Sequence, residues 1–93
     1  MREIIQGKQF KRDYKKVAAS GRYSVDDFKE VVKLLVKDKP LPEKHRDHAL
    51  IGEWVGYREC HIKPDWLLIY AKSNNSNKSL ILARTGSHSA LFS

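Results

Sequence analysis

Cysteine and long apolar runs are what this sequence most lacks. Its 93 residues contain one cysteine, Cys60, so no disulfide can form within the chain. The longest apolar stretches, residues 31–36 and 66–70, are far too short to span a bilayer. The N-terminus runs directly into charged residues and does not resemble a signal peptide. These shortages predict a cytoplasmic protein that has no disulfide framework and no membrane-spanning segment.

Acidic residues are scarce relative to basic ones. Eleven Asp and Glu residues stand against 18 Lys and Arg residues, which gives a net charge of +7. This excess favours a polyanionic partner, such as a nucleic acid, an anionic membrane surface or an acidic protein, although many soluble proteins simply carry excess lysine. Thirteen of the 18 basic residues precede Asp47. The densest cluster consists of Lys8, Lys11, Arg12, Lys15 and Lys16.

The first half of the chain has the pattern of one strand followed by two helices. Residues Arg2–Gln6 are predicted to form a short edge or central strand. Apolar residues spaced three and four apart after Lys8 predict a helix that ends at Gly21. Ser24 predicts the start of a second amphipathic helix, which ends before Pro40. Two adjacent helices joined by a short turn make an αα-hairpin.

The second half has the period-two pattern of β-strands. After a connector at 38–47, three strands are predicted, at Trp54–His61, Trp66–Lys72 and Ser79–Thr85. Turns at 63–65 and 73–77 join them, and a short segment at 87–92 follows. The predicted architecture of the single domain 1–93 is α+β, with an N-terminal short strand and a helical hairpin packed on a mainly antiparallel sheet.

All four histidines lie in the second half of the chain. Alternation along the first hairpin strand places Glu59 and His61 on one face. The opposite face receives Trp54, Arg58 and Cys60. Histidine can donate or accept a proton near neutral pH, so His61 is the candidate for proton transfer on this strand.

If the sheet is a simple meander, its turns bring further polar residues to the same region. The candidates are His48, His61, Asp65, Arg84 and His88. RNA cleavage without a metal requires these residue types: a base for the ribose 2′-OH, an acid for the leaving 5′-oxygen and a cation for the phosphate. Arginine suits the last role because its planar fork pairs with two phosphate oxygens. An aromatic side chain such as Trp66 or Phe92 can hold a base by stacking.

Each candidate also has a purely structural interpretation. Asp65 follows a proline and can be an ordinary turn residue. Both tryptophans are expected in or near the core. Glu59 and Arg58 can form a solvated face, and His45, in a charged loop, is expected on the surface.

A zinc site is the sharper alternative, because the chain supplies enough ligand types in His45, His48, Cys60, His61 and His88. No CxxC or HExxH motif is present, however, and alternation sends Cys60 away from His61. The residues alone therefore indicate a metal-free nuclease or a phosphate-binding module.

Two stretches carry a resemblance to a known family. Residues 47–70 contain the runs D-H-x-L-x-G and H-I-x-P-D-W, and residues 84–92 begin with R-T-G-S-H. These runs closely resemble the central and C-terminal motifs of the YafQ-type toxins, which belong to the RelE/ParE superfamily of bacterial toxin–antitoxin systems. The order of predicted elements is similar as well, so the resemblance covers nearly the whole chain.

The resemblance implies a RelE-like microbial RNase fold and a toxin of a type II toxin–antitoxin system. Such a toxin is a ribosome-dependent, metal-independent endoribonuclease, or mRNA interferase, that cuts mRNA in the decoding site by 2′-OH attack. It implies partners as well, namely the ribosome, mRNA and a cognate acidic antitoxin, and no cofactor.

Residue by residue, the resemblance gives a catalytic set of His48, His61, Asp65, Arg84 and His88. His88 would be the general acid and Arg84 would stabilise the phosphate, while the other three share base and orienting roles. Trp66 and Phe92 would lie beside the substrate, and the basic cluster Lys8, Lys11, Arg12, Lys15 and Lys16 would contact ribosomal RNA.

Two other functions remain open at this stage. One is a non-enzymatic gyrase poison like the ParE branch of the superfamily, which would have no need of the acid–base set. The other is a ribosome- or RNA-binding module without cleavage, which would bind in a salt-sensitive way but cut no codon.

Overall fold

A five-stranded sheet carries a helical hairpin on one face. The computed structural model describes residues 1–74 and 78–92. Its elements are β1 (Glu3–Gln6), α1 (Lys8–Ser20), α2 (Val25–Val36), β2 (His48–Ala49), β3 (Arg58–Lys63), β4 (Trp66–Ser73), β5 (Ser79–Gly86) and α3 (His88–Phe92). Single turns of 3-10 helix lie at Glu43–His45 and Gly52–Trp54. Within the described ranges, no helix is both long and apolar enough to cross a membrane.

The strands lie in the order β1-β5-β4-β3-β2. β1 is an edge strand that pairs parallel with β5, whereas the other neighbouring strands are antiparallel. The predicted α+β class with a mainly antiparallel sheet is therefore confirmed. The core lies between the hairpin and one face of the sheet, where Phe10, Val31 and Leu35 of the helices pack with Leu68 and Leu82 of the central strands.

Both helices of the hairpin follow local signals in the sequence. Gly21 ends α1 in the left-handed region, with φ of 68°, where a residue without Cβ is favoured. The Ser24 side chain accepts a hydrogen bond from the Asp26 N–H at the start of α2. Phe10 and Phe28 stack between the helices, with ring centroids 5.9 Å apart. The predicted αα-hairpin is thus confirmed.

The first long antiparallel strand is shorter than predicted. β3 begins at Arg58 rather than at Trp54, so Trp54 lies in a 3-10 turn and shares no strand face with Cys60. Gly52 and Gly56 have φ of 69° and 94°, and these left-handed conformations turn the chain before the strand begins. The two-residue strand β2 was not predicted, because so short a segment has no measurable periodicity.

The later strands match their predictions to within one residue. β4 and β5 each extend one residue beyond the predicted C-terminal end. The predicted turn at 63–65 lies between β3 and β4. The predicted turn at 73–77 includes residues 75–77, which lie outside the described ranges.

A buried chain of hydrogen bonds crosses β4 and β5 at Thr85. The Trp66 Nε1–H donates to the Thr85 hydroxyl at 2.9 Å, and that hydroxyl donates to the Leu67 carbonyl oxygen at 2.7 Å. Trp66 and Thr85 are 1% and 2% exposed, so water cannot take over either bond.

Replacing Thr85 by valine tests how much these hydrogen bonds contribute to the free energy of unfolding. Thr85→Val keeps the side-chain shape but leaves the buried indole N–H of Trp66 without an acceptor. We expect the free energy of unfolding to fall by about 1–3 kcal/mol, measured by urea denaturation. Thr85→Ser keeps the hydroxyl and should lose less. An equal or larger loss in Thr85→Ser would contradict this role of the hydroxyl.

Candidate active site

Two histidines of the predicted site share one buried carboxylate. β2 pairs with β3 so that His48 lies opposite Glu59, and His61 lies two residues further along β3 on the same face. The Nε2 atoms of His48 and His61 each lie 3.6 Å from Oε1 of Glu59. Glu59 is 5% exposed, so the interpretation of this residue as part of a solvated face is wrong. A proton on either imidazole therefore has a carboxylate beside it.

Backbone carbonyl groups orient both imidazole rings. Nδ1 of His48 donates to the Arg46 carbonyl oxygen at 2.7 Å, and Nδ1 of His61 donates to the Pro64 carbonyl oxygen at 3.3 Å. A carbonyl oxygen can only accept, so the proton of each neutral ring is assigned to Nδ1. Each Nε2 is then free to accept a proton, which is the condition that a general base must meet.

His45 is buried rather than on the surface as predicted. It is 8% exposed, and its Nδ1 donates to the His61 carbonyl oxygen at 2.6 Å. The 3-10 turn Glu43–His45 packs against β3 and directs this one side chain inward, while Glu43 and Lys44 remain exposed. His45 is therefore a positioning residue for the part of β3 that carries His61.

Asp65 and His88 come together at the start of α3. Oδ1 of Asp65 accepts the backbone N–H of His88 at 3.4 Å. The Asp65 carbonyl oxygen accepts the Tyr23 hydroxyl at 3.2 Å, which ties the β3–β4 turn to the helical hairpin. The His88 side chain is exposed and its ring centroid lies 5.2 Å from that of Phe92. Asp65 thus holds the backbone from which an accessible imidazole projects.

Strand register places Arg84 and Glu59 in the same row, a line of paired residues that runs across β5, β4 and β3. Arg84 pairs with Ile69 of β4, and Ile69 pairs with Glu59 of β3, so the two charged residues are two strands apart. The guanidinium group donates from Nε at 2.6 Å and from Nη2 at 3.3 Å to the two carboxylate oxygens of Asp13 on α1. The Arg84 side chain is 25% exposed, so a phosphate can still reach it.

Asp13 joins the site although the sequence did not indicate it. Its carboxylate, in a residue 8% exposed, also accepts the backbone N–H of Thr85 and the side-chain amide of Gln9, each at 3.2 Å. Burial acts to raise the pKa of Asp13. The hydrogen bonds from Arg84, Gln9 and Thr85 outweigh burial and lower the pKa below its usual value.

The two aromatic residues predicted beside the substrate differ in exposure, since Trp66 is buried and Phe92 is exposed. Trp66 is 1% exposed, its N–H is bonded to Thr85, and Tyr23 stacks on it with centroids 4.9 Å apart. No base can stack on Trp66 without disrupting the core, so its assignment to substrate binding is wrong and its structural interpretation holds. Phe92 is 39% exposed and lies beside His88, where a base can reach it.

Of the residues that the sequence reasoning missed, only Glu59 carried a usable signal, since alternation already placed it beside His61. Asp13 and His45 depend on contacts with residues distant in sequence.

The predicted basic cluster is exposed along α1 at Lys8, Lys11, Arg12, Lys15 and Lys16.

The five candidate ligands of the alternative zinc site do not all converge, although His48 and His61 both face Glu59. Cys60 packs in the core on the opposite face from Glu59 and His61, and burial raises the pKa of its thiol. The Nδ1 atom of His45 is occupied by a backbone carbonyl oxygen. Over residues 1–74 and 78–92, no group of three or more His, Cys, Asp or Glu side chains is arranged to hold a metal ion. The described residues therefore form no cluster that resembles a metal centre.

Comparison with known proteins gives a consistent result. The family described as "Bacterial toxin of type II toxin-antitoxin system, YafQ" matches residues 2–93. The mRNA interferase toxin YafQ of Escherichia coli strain K12 is 39% identical over 92 residues, which make up 98% of this chain and 96% of that protein.

Solved structures agree with the sequence matches. A chain in the crystal structure of the E. coli DinJ-YafQ complex superposes with a TM-score of 0.85 at 38% identity, and the match covers 100% of both chains. A metal-bound toxin from Helicobacter pylori gives a TM-score of 0.90 at 40% identity, with 99% of this chain and 100% of that chain covered. The metal is a property of that protein.

The lowered pKa of Asp13 predicts a pH-dependent contribution to stability. A carboxylate with a lowered folded-state pKa stabilises the protein above its unfolded pKa of about 3.9. This contribution is lost as pH falls through the lower folded-state value. We expect Asp13→Asn to reduce the free energy of unfolding by roughly 2 kcal/mol at pH 7 and by less at pH 3.

Urea denaturation at both pH values measures this difference. Glu30→Gln, which removes one exposed carboxylate from α2, is the matched control. A loss in Asp13→Asn that is the same at pH 7 and pH 3 would show that its charge is not the stabilising feature.

Proposed function

This chain belongs to the YafQ family, the bacterial toxins of type II toxin–antitoxin systems, and we propose that it is an mRNA interferase. In this proposal it is a ribosome-dependent endoribonuclease that cleaves mRNA in the decoding site and thereby inhibits translation in the cytoplasm. The chemistry uses the protein's own side chains, without a metal or cofactor.

The proposal is supported chiefly by two imidazoles on the sheet face that also carries an arginine. His48 and His61 direct Nε2 toward Glu59, at 3.6 Å each. Arg84 lies in the same row as Glu59, and His88 follows at the end of the strand that carries Arg84. These residues offer the base, the acid and the phosphate-binding cation that metal-free RNA cleavage requires.

In the proposed reaction, Nε2 of His48 or His61 takes the proton from the ribose 2′-OH. The 2′-oxygen bonds to phosphorus as the bond from phosphorus to the 5′-oxygen breaks, which leaves a 2′,3′-cyclic phosphate. Protonated His88 gives its proton to the departing 5′-oxygen. Arg84 donates N–H groups to the phosphate oxygens as negative charge accumulates there. Asp65 orients the acid, and Phe92 stacks on a neighbouring base.

Positive charge outside the site suits two larger partners. The basic cluster on α1, Lys8, Lys11, Arg12, Lys15 and Lys16, would contact ribosomal RNA, with release of counterions and strong salt dependence. The E. coli YafQ toxin forms a complex with DinJ. By analogy, we propose an acidic protein antitoxin as the cognate partner of this chain, because its net charge of +7 attracts an acidic protein.

Removal of the proposed acid tests the cleavage mechanism. We expect His88→Ala to reduce cleavage at least about 100-fold, because a positioned general acid contributes roughly that much or more. Primer extension on mRNA from stalled ribosomes incubated with purified protein measures the cuts.

Ser89→Ala, next to His88 on α3, is the matched control and should cut like the parent. Parent protein should cut at the decoding-site codon only when ribosomes are present. Cleavage by His88→Ala at the parental rate would remove His88 from the mechanism. A folded, antitoxin-free parent that makes no cuts would favour a gyrase poison or a binding module.

Glu59 should matter for cleavage although it need not touch the RNA. Glu59→Gln keeps the size of the side chain but removes the charge that faces the Nε2 atoms of His48 and His61. We expect cleavage to fall at least about tenfold, since misplaced catalytic groups lose that much or more. Circular dichroism should show an unchanged fold. Parental cleavage by Glu59→Gln would contradict its positioning role.

A further inference from the structure

A cavity of about 260 Å³ opens at the edge of the sheet beside Arg84. Its walls are one face of α1, the α1–α2 turn, the end of β5 and the start of α3. Lys16, Arg22 and Arg84 line it, together with Tyr23 and Ser87. We call it the edge cavity. Its volume lies just below the range of about 300–1,000 Å³ that is usual for small-molecule pockets, which suits a single nucleotide unit.

The residues that line the edge cavity carry more positive than negative charge, with three cations and one carboxylate. Asp13, the one acidic residue of its lining, is already bonded to Arg84, Gln9 and the Thr85 N–H. In the part of the chain that the structure describes, neither Lys16 nor Arg22 forms an ion pair. Arg22 lies over the Tyr23 ring, 5.4 Å from its centroid. Two free cations on the wall of a cavity favour an anionic ligand.

The edge cavity is continuous with the site described above. Arg84 belongs to both, and Ser87 precedes His88 in the chain. Tyr23 lines the cavity and also donates its hydroxyl to the Asp65 carbonyl oxygen. A polymer whose scissile phosphate lies at Arg84 and His88 can therefore extend directly into the cavity.

We propose that the edge cavity binds the nucleotide adjacent to the scissile phosphate, with Lys16 and Arg22 on its phosphodiester group. Lys16 is thereby assigned to the mRNA, and the rest of the basic cluster on α1 to ribosomal RNA. This inference rests on the proposed cleavage of mRNA. The ligand class is single-stranded RNA rather than an acidic peptide of an antitoxin. Such a peptide would bury apolar side chains as well, and the lining offers only Val17 and Ala90 as small apolar contacts.

A cleavage-resistant RNA separates binding from chemistry. The probe is a 2′-O-methyl tetranucleotide, which lacks the attacking hydroxyl, titrated into isolated protein without ribosomes. We expect Arg22→Gln and Lys16→Gln each to weaken binding roughly five- to tenfold. Each should also reduce the slope of log K against log salt by about 0.7. Backbone amide shifts in NMR spectra should change at Ser20, Arg22 and Ser87.

Lys33→Gln, which removes an exposed charge from α2, is the matched control and should retain the parental affinity and salt slope. Equal behaviour of Arg22→Gln and Lys33→Gln would overturn the inference, as would the absence of amide shifts around the cavity at millimolar RNA. Loss of antitoxin binding in Arg22→Gln, with RNA binding unchanged, would assign the cavity to the antitoxin and also overturn it.

Failure of the proposed cleavage mechanism and failure of the cavity assignment give different experimental results. A parent protein that binds the tetranucleotide through Lys16 and Arg22 but cuts no mRNA on ribosomes would refute the cleavage mechanism alone. A parent that cuts mRNA while both cavity variants bind and cut normally would refute the cavity assignment alone.

Discussion

The buried carboxylate of Asp13 links α1 to Arg84 and to the end of β5, at the place where β1 no longer pairs with β5. β1 has four residues and β5 has eight, so the end of β5 lacks a neighbour on that side. A backbone N–H there needs an acceptor, and α1 crosses at the right place to supply one. A lone carboxylate in that position would be unfavourable, but Arg84 compensates its charge through two hydrogen bonds. The helix, the strand end and the site arginine are therefore held by one group.

The buried polar side chains of this protein mostly serve its site rather than its core. Five polar or charged residues are buried in the described ranges, and four of them contact residues of the site or its aromatic support. Asp13 holds Arg84, His45 holds the His61 backbone, Glu59 faces two imidazoles and Thr85 anchors Trp66. A buried polar group is tolerated only when it has partners. In this small domain such groups consequently fix Arg84 and the two imidazoles of the candidate site in position.

The elements with clear periodicity or capping were predictable from the sequence, whereas the contacts that complete the site were not. Gly21 and Ser24 mark the hairpin turn by local chemistry, and β4 is apolar along most of its length. His45 was misjudged because its neighbours in sequence are charged, although the 3-10 turn sends its ring inward. Asp13 is one acid among basic residues on α1, and only the short β1 explains why it is buried. Tertiary contacts of this kind leave no periodic signal.

Because Arg84 is paired with Asp13, its electrostatic role differs from that of the cations without an acidic partner. A guanidinium bound to a carboxylate has little net field at a distance, so Arg84 contributes little to the attraction of RNA from solution. Asp13 instead holds the Arg84 guanidinium in a fixed orientation. A donor that is already oriented need not reorganise when charge develops on a phosphate. Long-range attraction must then come from cations without acidic partners. Among the described residues these include the basic cluster on α1 and Arg22 in the α1–α2 turn. In the proposed mechanism, the surface that attracts the RNA is therefore distinct from the group that stabilises the reacting phosphate, and the two meet at the edge cavity.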